Sequence, residues 1–125
     1  MDAAQALAEL REISSQIDVA VILDEQGAVV GSTHGNPEAL AGAAGSLLEE
    51  ARRVRPGKEP AQIEAGTAAG SVFVYREGNR TIAATTGPEP TVGLVFYDLK
   101  SCLRSVEEKP KRKRAPRKKT EADAS

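Results

Sequence analysis

Apolar residues recur along the first part of the chain with a helical period. At about 100° per residue, Ala3, Ala6, Leu7, Leu10, Ile13 and Ile17 share about 120° of arc, which predicts an amphipathic helix over 3–16. The run Val19-Ala20-Val21-Ile22-Leu23 is β-branched and apolar throughout, as a strand covered on both faces would be. Asp24-Glu25-Gln26-Gly27 then supplies a turn, and a second strand over 28–32 follows at hairpin distance, predicted to pair antiparallel. Asn36-Pro37 reads as a helix start with Asn36 as N-cap and Pro37 in the first helical position. The helix over 37–54 ends at the breaker-rich segment 55–60.

The second half alternates with period two. A short edge strand over 62–65 is followed by Gly66-Thr67-Ala68-Ala69-Gly70, which reads either as a plain inter-strand loop or as an anion-binding nest. Strands over 71–75 and 80–86 flank the hairpin signal Glu77-Gly78-Asn79. The segment from Val92 has strand-like composition, but a longer window favours a helix over 91–107. There Val92, Val95, Phe96, Leu99, Cys102, Leu103 and Val106 share about 120° of arc, and Asp98, Lys100, Ser101, Arg104 and Ser105 lie outside it. Leu94 and Tyr97 fall off the stripe and read as exposed.

The second helix has more apolar surface than one neighbour can cover. Its stripe, running through Leu40, Ala41, Ala43, Ala44, Gly45, Leu47, Leu48, Ala51 and Val54, spans about 200°, where packing on one surface needs about 100° or somewhat more. Ala41 and Gly45 are small and spaced i,i+4, so a second backbone can approach there. Gly42 and Gly45 each lower helix propensity by about 1 kcal/mol relative to Ala, a cost that close packing would offset.

Charge divides the chain. Across its 125 residues the net charge is −1, but residues 1–108 carry nine basic and sixteen acidic side chains, a net of −7, and residues 109–125 carry a net of +6. This predicts a domain over 1–108 and a disordered, Lys/Arg-rich tail over 109–125 with no apolar residue larger than Ala. Lys111, Arg112, Lys113, Arg114, Arg117, Lys118 and Lys119 are the tail's candidate contacts for nucleic acid or anionic lipid. The single His34 reads as an exposed loop residue and the single Cys102 as a core side chain, so a nucleophile–base pair and a Cys/His metal site are both unexpected. No phosphate-binding loop signature is present. The expectation is a protein that is not an enzyme and needs no cofactor. One unpaired Cys, an N-terminus without a cationic and apolar leader pattern, and no apolar run near the roughly 20 residues a bilayer needs all point to the cytoplasm. Arg52, Arg53 and Arg55 read either as complements to the helix C-terminal dipole or as an arginine finger.

The order helix, strand, strand, helix, three strands, helix over residues 3–107 resembles the roadblock family, related to dynein light chains and to bacterial regulators of Ras-like GTPases. The likeness rests on the strand-turn-strand opening 19–30, the Ala/Leu-rich stretch Glu38-Ala39-Leu40-Ala41-Gly42-Ala43-Ala44, and Gly93-Leu94-Val95 near the start of the last helix. The resemblance implies a profilin-like α/β sandwich, α+β in its arrangement: a five-stranded antiparallel sheet with the first and third helices on one face and the second on the other. It also implies homodimerisation through the second helix and the strand after it, with Leu40, Ala41, Ala44, Gly45, Leu48 and Ile63 as the candidate interface. The function so implied is that of an adaptor for a small Ras-like GTPase, with Arg52, Arg53, Leu94 and Tyr97 as candidate partner contacts. The alternative is a dimeric scaffold that grips nucleic acid or an anionic membrane through its tails. The tail belongs to no part of the shared domain.

Overall fold

The first element is held at its start by its own sequence. In the computed structural model, which describes residues 1–57 and 59–106, the carboxylate of Asp2 accepts from the Gln5 N–H at 2.8 Å, and the Gln5 side chain accepts from the Asp2 N–H at 3.1 Å. This reciprocal cap opens α1 (Ala3–Ile13). The helix stops three residues short of the expected end because Ser14 turns extended while its N–H still caps Leu10 O. Ile13 is consequently 68% exposed, and Ile17 is buried as the first residue of a strand rather than the last of a helix.

Five strands follow in one antiparallel sheet: β1 (Ile17–Leu23), β2 (Val29–Ser32), β3 (Gln62–Thr67), β4 (Gly70–Glu77) and β5 (Arg80–Thr86), in the spatial order β2-β1-β5-β4-β3. The expected β1–β2 pairing and the edge position of β3 are both present. β1 is as its composition predicts, with Ala20, Val21 and Ile22 fully buried. The segment 66–70 is an inter-strand connection, shorter than expected. β3 runs on through Thr67 and β4 begins at Gly70, leaving a two-residue turn in which the Thr67 hydroxyl donates to Gly70 O and accepts from the Ala69 N–H.

Two more helices complete the layers, α2 (Glu38–Val54) and α3 (Val92–Ser105). α2 starts one residue later than expected: Pro37, with helical dihedrals, occupies the N-cap position, and no side chain caps the end, so Asn36 does not fill that role. α3 is a helix as its period predicts, but Val92 at its first turn is 42% exposed and Asp98, expected on the polar side, is only 7% exposed. α3 packs against both a sheet and α1, so its buried arc is wider than its apolar stripe and takes in the flank that bears Asp98.

Alternation along the strands divides the core in two. Ala20, Ile22, Phe73, Tyr75, Ile82 and Ala84 meet α1 and α3 on one face, and Val21, Leu23, Val74 and Ala83 meet Leu40, Ala44 and Leu48 of α2 on the other. Phe73 makes an edge-on contact with Phe96, ring centres 5.1 Å apart. α1 crosses β2 at Gly31, where a Cβ would lie 2.9 Å from the Ala3 Cβ. Gly70 has φ +156°, and a Cβ there would collide with Thr86 O of the neighbouring strand. Gly70→Ala is therefore expected to lower stability by about 2 kcal/mol or more through strain and overpacking, read as a lower urea midpoint with unchanged slope.

Candidate functional site

α2 presents three kinds of surface. Leu40, Ala44 and Leu48, spaced i, i+4, i+8, form its inward ridge and are 8%, 0% and 6% exposed. Beside that ridge Ala41, Ala43, Leu47 and Ala51 are only half-buried, and Val54 is 73% exposed. The sheet of its own protomer thus leaves much of the apolar arc uncovered. Gly42 and Gly45 are exposed, and a Cβ on either would meet no atom of another described residue within 4 Å, so nothing among the described residues requires glycine there.

The six residues expected at an interface are therefore not one exposed patch. Leu40, Ala44 and Leu48 face the core of their own protomer. Ala41 and Gly45 line a cleft of about 260 Å³ between α2 and the β1–β2 turn at 24–27. Ala43, Leu47 and Val54 lie on the opposite flank of the helix, turned away from that cleft. Ile63 is half-buried on β3, paired with Val74 and packed against the α2-side core. β3 hydrogen-bonds to β4 alone among the described strands, so its outer edge presents backbone donors and acceptors.

The arginines at the end of α2 are engaged by carboxylates. Arg52 Nε donates to Glu59 at 2.8 Å, and Glu49 lies 3.7 Å away; Arg53 pairs with Glu50 at 3.4 Å. The hydrogen bond from Arg52 holds the Glu59 carboxyl below its usual range, and the same bond raises the guanidinium. These pairs tie the side chains to the last turns of the helix, where their charge also complements its dipole. Arg55 is the helix C-cap.

On the other face, Leu94 and Tyr97 are 49% and 65% exposed, as their position on α3 predicts. Tyr97 borders a second cleft, between α1 and α3, that no motif or period in the chain foretells. Asp98, one of its two acidic members, sits just beyond the apolar stripe, next to Cys102 on the helical wheel, and the signal would have been that a helix with two neighbours buries a flank as well as a stripe. His34 is exposed in its loop and Cys102 is buried, both as expected. Among the described residues no group of three His, Cys, Asp or Glu is placed to hold a metal ion, and no helix is long and apolar enough to cross a membrane. The tail candidates Lys111 to Lys119 lie outside the described residues.

Burial pushes the Cys102 thiol up to about 12, and the charge of Glu9 adds to the effect. Alkylation of the native protein at about pH 8 is expected to be roughly a thousandfold slower than in denaturant, since so little thiolate forms. The same shift removes stability as pH rises from about 8.5 toward the native value, because the unfolded chain loses a proton that the native chain keeps. A mass-resolved alkylation time course checks the first expectation.

No family model matches the sequence, and neither does any curated protein. Solved structures do match. A roadblock/LC7 domain from Streptomyces avermitilis superposes with a TM-score of 0.71 at 19% identity, covering 84% of this chain and 94% of that one. The gliding protein MglB from Thermus thermophilus gives 0.66 at 14% identity, covering 80% and 82%. An MglB structure with a tetrameric arrangement gives 0.63 at 14% identity, covering 83% and 84%. The three share the architecture described above.

Proposed function

The chain has the roadblock fold, and we propose that it works as a roadblock-type regulator: a homodimeric, non-enzymatic adaptor in the cytoplasm that binds a small Ras-like GTPase and modulates its nucleotide cycle or placement. The observation that carries the reading is the incomplete covering of α2. One helix lies on the α2 face of the sheet, its apolar flank is half-covered, and the edge strand β3 has open backbone groups beside the half-buried Ile63. A second copy that sets its α2 and β3 against these would bury the flank, extend the sheet, and give Gly42 and Gly45 a role that the lone protomer does not. The tetrameric arrangement of one structural neighbour supports self-association. The Ras-like GTPase partner comes from the resemblance of the sequence to the roadblock family and from the likeness of fold to MglB.

Within this reading the interface draws on Ala41, Gly45 and Ile63 together with Ala43, Leu47 and Val54, and Leu40, Ala44 and Leu48 hold the helix in place from beneath. Arg52, Arg53, Leu94 and Tyr97 are left for the partner, by surface contact.

Light scattering at micromolar concentration is expected to give about twice the chain mass of 13.2 kDa. Val54→Lys should yield a folded monomer, because it places a charge in the joint at a residue that is 73% exposed in the protomer. Leu48→Ala should instead destabilise the protomer itself by about 2 to 4 kcal/mol. A monomeric wild type overturns the dimer. Immobilised full-length chain, offered cell extract in the presence of GDP and then of a non-hydrolysable GTP analogue, is expected to retain a small GTPase whose hydrolysis or exchange rate it alters. Retention of no GTP-binding protein in either state overturns the partner assignment.

A further inference from the structure

The cleft between α1 and α3 lies on the face of the sheet opposite α2. The two helices run antiparallel: the Cys102 Sγ contacts Ala6 O at 3.4 Å, and Ser105 Oγ lies 3.7 Å from Met1 Sδ. Between them is a cleft of about 250 Å³ whose apolar walls include Ala6, Leu10, Ile13 and Tyr97. Ile13 and Tyr97 form an exposed rim, 68% and 65% accessible. Two carboxylates face the cleft, Glu9 from α1 and Asp98 from α3, and among the described residues no Lys or Arg lines it.

Asp98 is the unusual member. It is only 7% exposed, yet among the described residues its carboxylate takes no hydrogen bond and no ion pair. The cations of its own helix are held elsewhere: Lys100 Nζ stands 5.9 Å from the centre of the Tyr75 ring, and Arg104 pairs with Glu77 at 2.9 Å. No cation among the described residues stands beside this carboxylate at the cleft wall, and an incoming one that also fills the apolar walls pairs with it. Lysine and arginine side chains have that form, greasy along the stem and charged at the tip, and the exposed Tyr97 ring offers a further contact to the charged end.

We propose that the α1–α3 cleft is a docking site for lysine and arginine side chains, and that its occupant is this chain's own basic segment over 109–119. α3 ends at Ser105, which itself lines the cleft, so the segment departs from the cleft's own end. Returning along the groove from Val106 to Asp98 takes about 12 Å at 1.5 Å per helical residue, a distance that four extended residues cover at about 3.3 Å each. Lys109, Lys111, Arg112, Lys113 and Arg114 follow in close succession, so several registers place a cation beside Asp98 and Glu9. The tether holds these cations at an effective concentration of about millimolar or more, which lets individually weak pairs be populated. When docked, the segment shields Ile13 and Tyr97 and withholds its own positive charge from outside anions.

The test is zero-length carbodiimide coupling on the full-length chain, using an equal mixture of isotopically light and heavy protein, with links mapped by mass spectrometry. Expected are same-isotope links from Lys109, Lys111 or Lys113 to Glu9 or Asp98, in clear excess over links to Glu25, Glu49 and Glu50. Raising salt to about 1 M, where the screening length falls to about 3 Å, should cut them about fivefold, and Glu9→Gln should do the same to the links at Asp98. Asp98→Asn should abolish the preference for this cleft, and should it fail to fold, the exposed Glu9→Gln variant carries the same test. Links spread over all acidic residues in proportion to exposure, or found mainly between light and heavy chains, overturn the proposal. Val54→Lys is expected to leave the links unchanged, so failure of the α2 dimer and failure of this docking are distinguishable.

Discussion

Everything in this structure follows from strands that must be dry on both faces. Ala20, Val21 and Ile22 on β1, Phe73 and Val74 on β4, and Ile82, Ala83 and Ala84 on β5 are each fully buried, although successive residues point to opposite sides of the sheet. Both faces therefore need a cover, and the described residues supply three helices for two faces. α1 and α3 share one; α2 has the other to itself. The division into two cores is the direct outcome, and so is the inequality between them: on the α2 side the covering layer is one helix wide and its flank remains half-open.

Reactive chemistry plays little part in what these surfaces offer. The one thiol is held protonated by burial, the one imidazole sits in an exposed loop, and the helix-end arginines are bonded to neighbouring glutamates. What remains is shape, apolar area and charge, the means by which binding proteins select partners.

Elements with a strong period were legible in the sequence, and their ends were not. β1 could be read because a run of β-branched residues this short fits a doubly covered strand, and α3 because seven apolar residues share one arc over four turns. The end of α1 depends on Ser14 adopting an extended backbone, and the start of α2 on Pro37 displacing Asn36 from the cap; each is a local competition that periodicity does not register. The strand order places β5 between β1 and β4, a long-range pairing to which no local signal points. For the candidate site, the width of the apolar arc on α2 was readable, but its division was not. Only the placement of the sheet separates Leu40, Ala44 and Leu48, which lie beneath the helix, from Ala41 and Gly45 at the cleft by the β1–β2 turn. Asp98 escaped notice because an acidic residue beside an apolar stripe reads as surface until a second helix is packed over it.

The two unequal faces are also energetically separate. The flank of α2 and the cleft between α1 and α3 lie on opposite sides of a sheet whose inner strands β1, β4 and β5 are largely buried, with no charged side chain of one cleft lining the other. Groups so far apart and without a shared partner contribute nearly additively to stability and binding. An interface formed at α2 therefore neither requires nor opposes occupation of the α1–α3 cleft, and the acidic character of that cleft remains available to a cation whether the chain stands alone or paired. Coupling between the two would need an element with two arrangements that both faces sense. The buried strands that separate the faces are packed on each side against different helices and form a partition between the two cores.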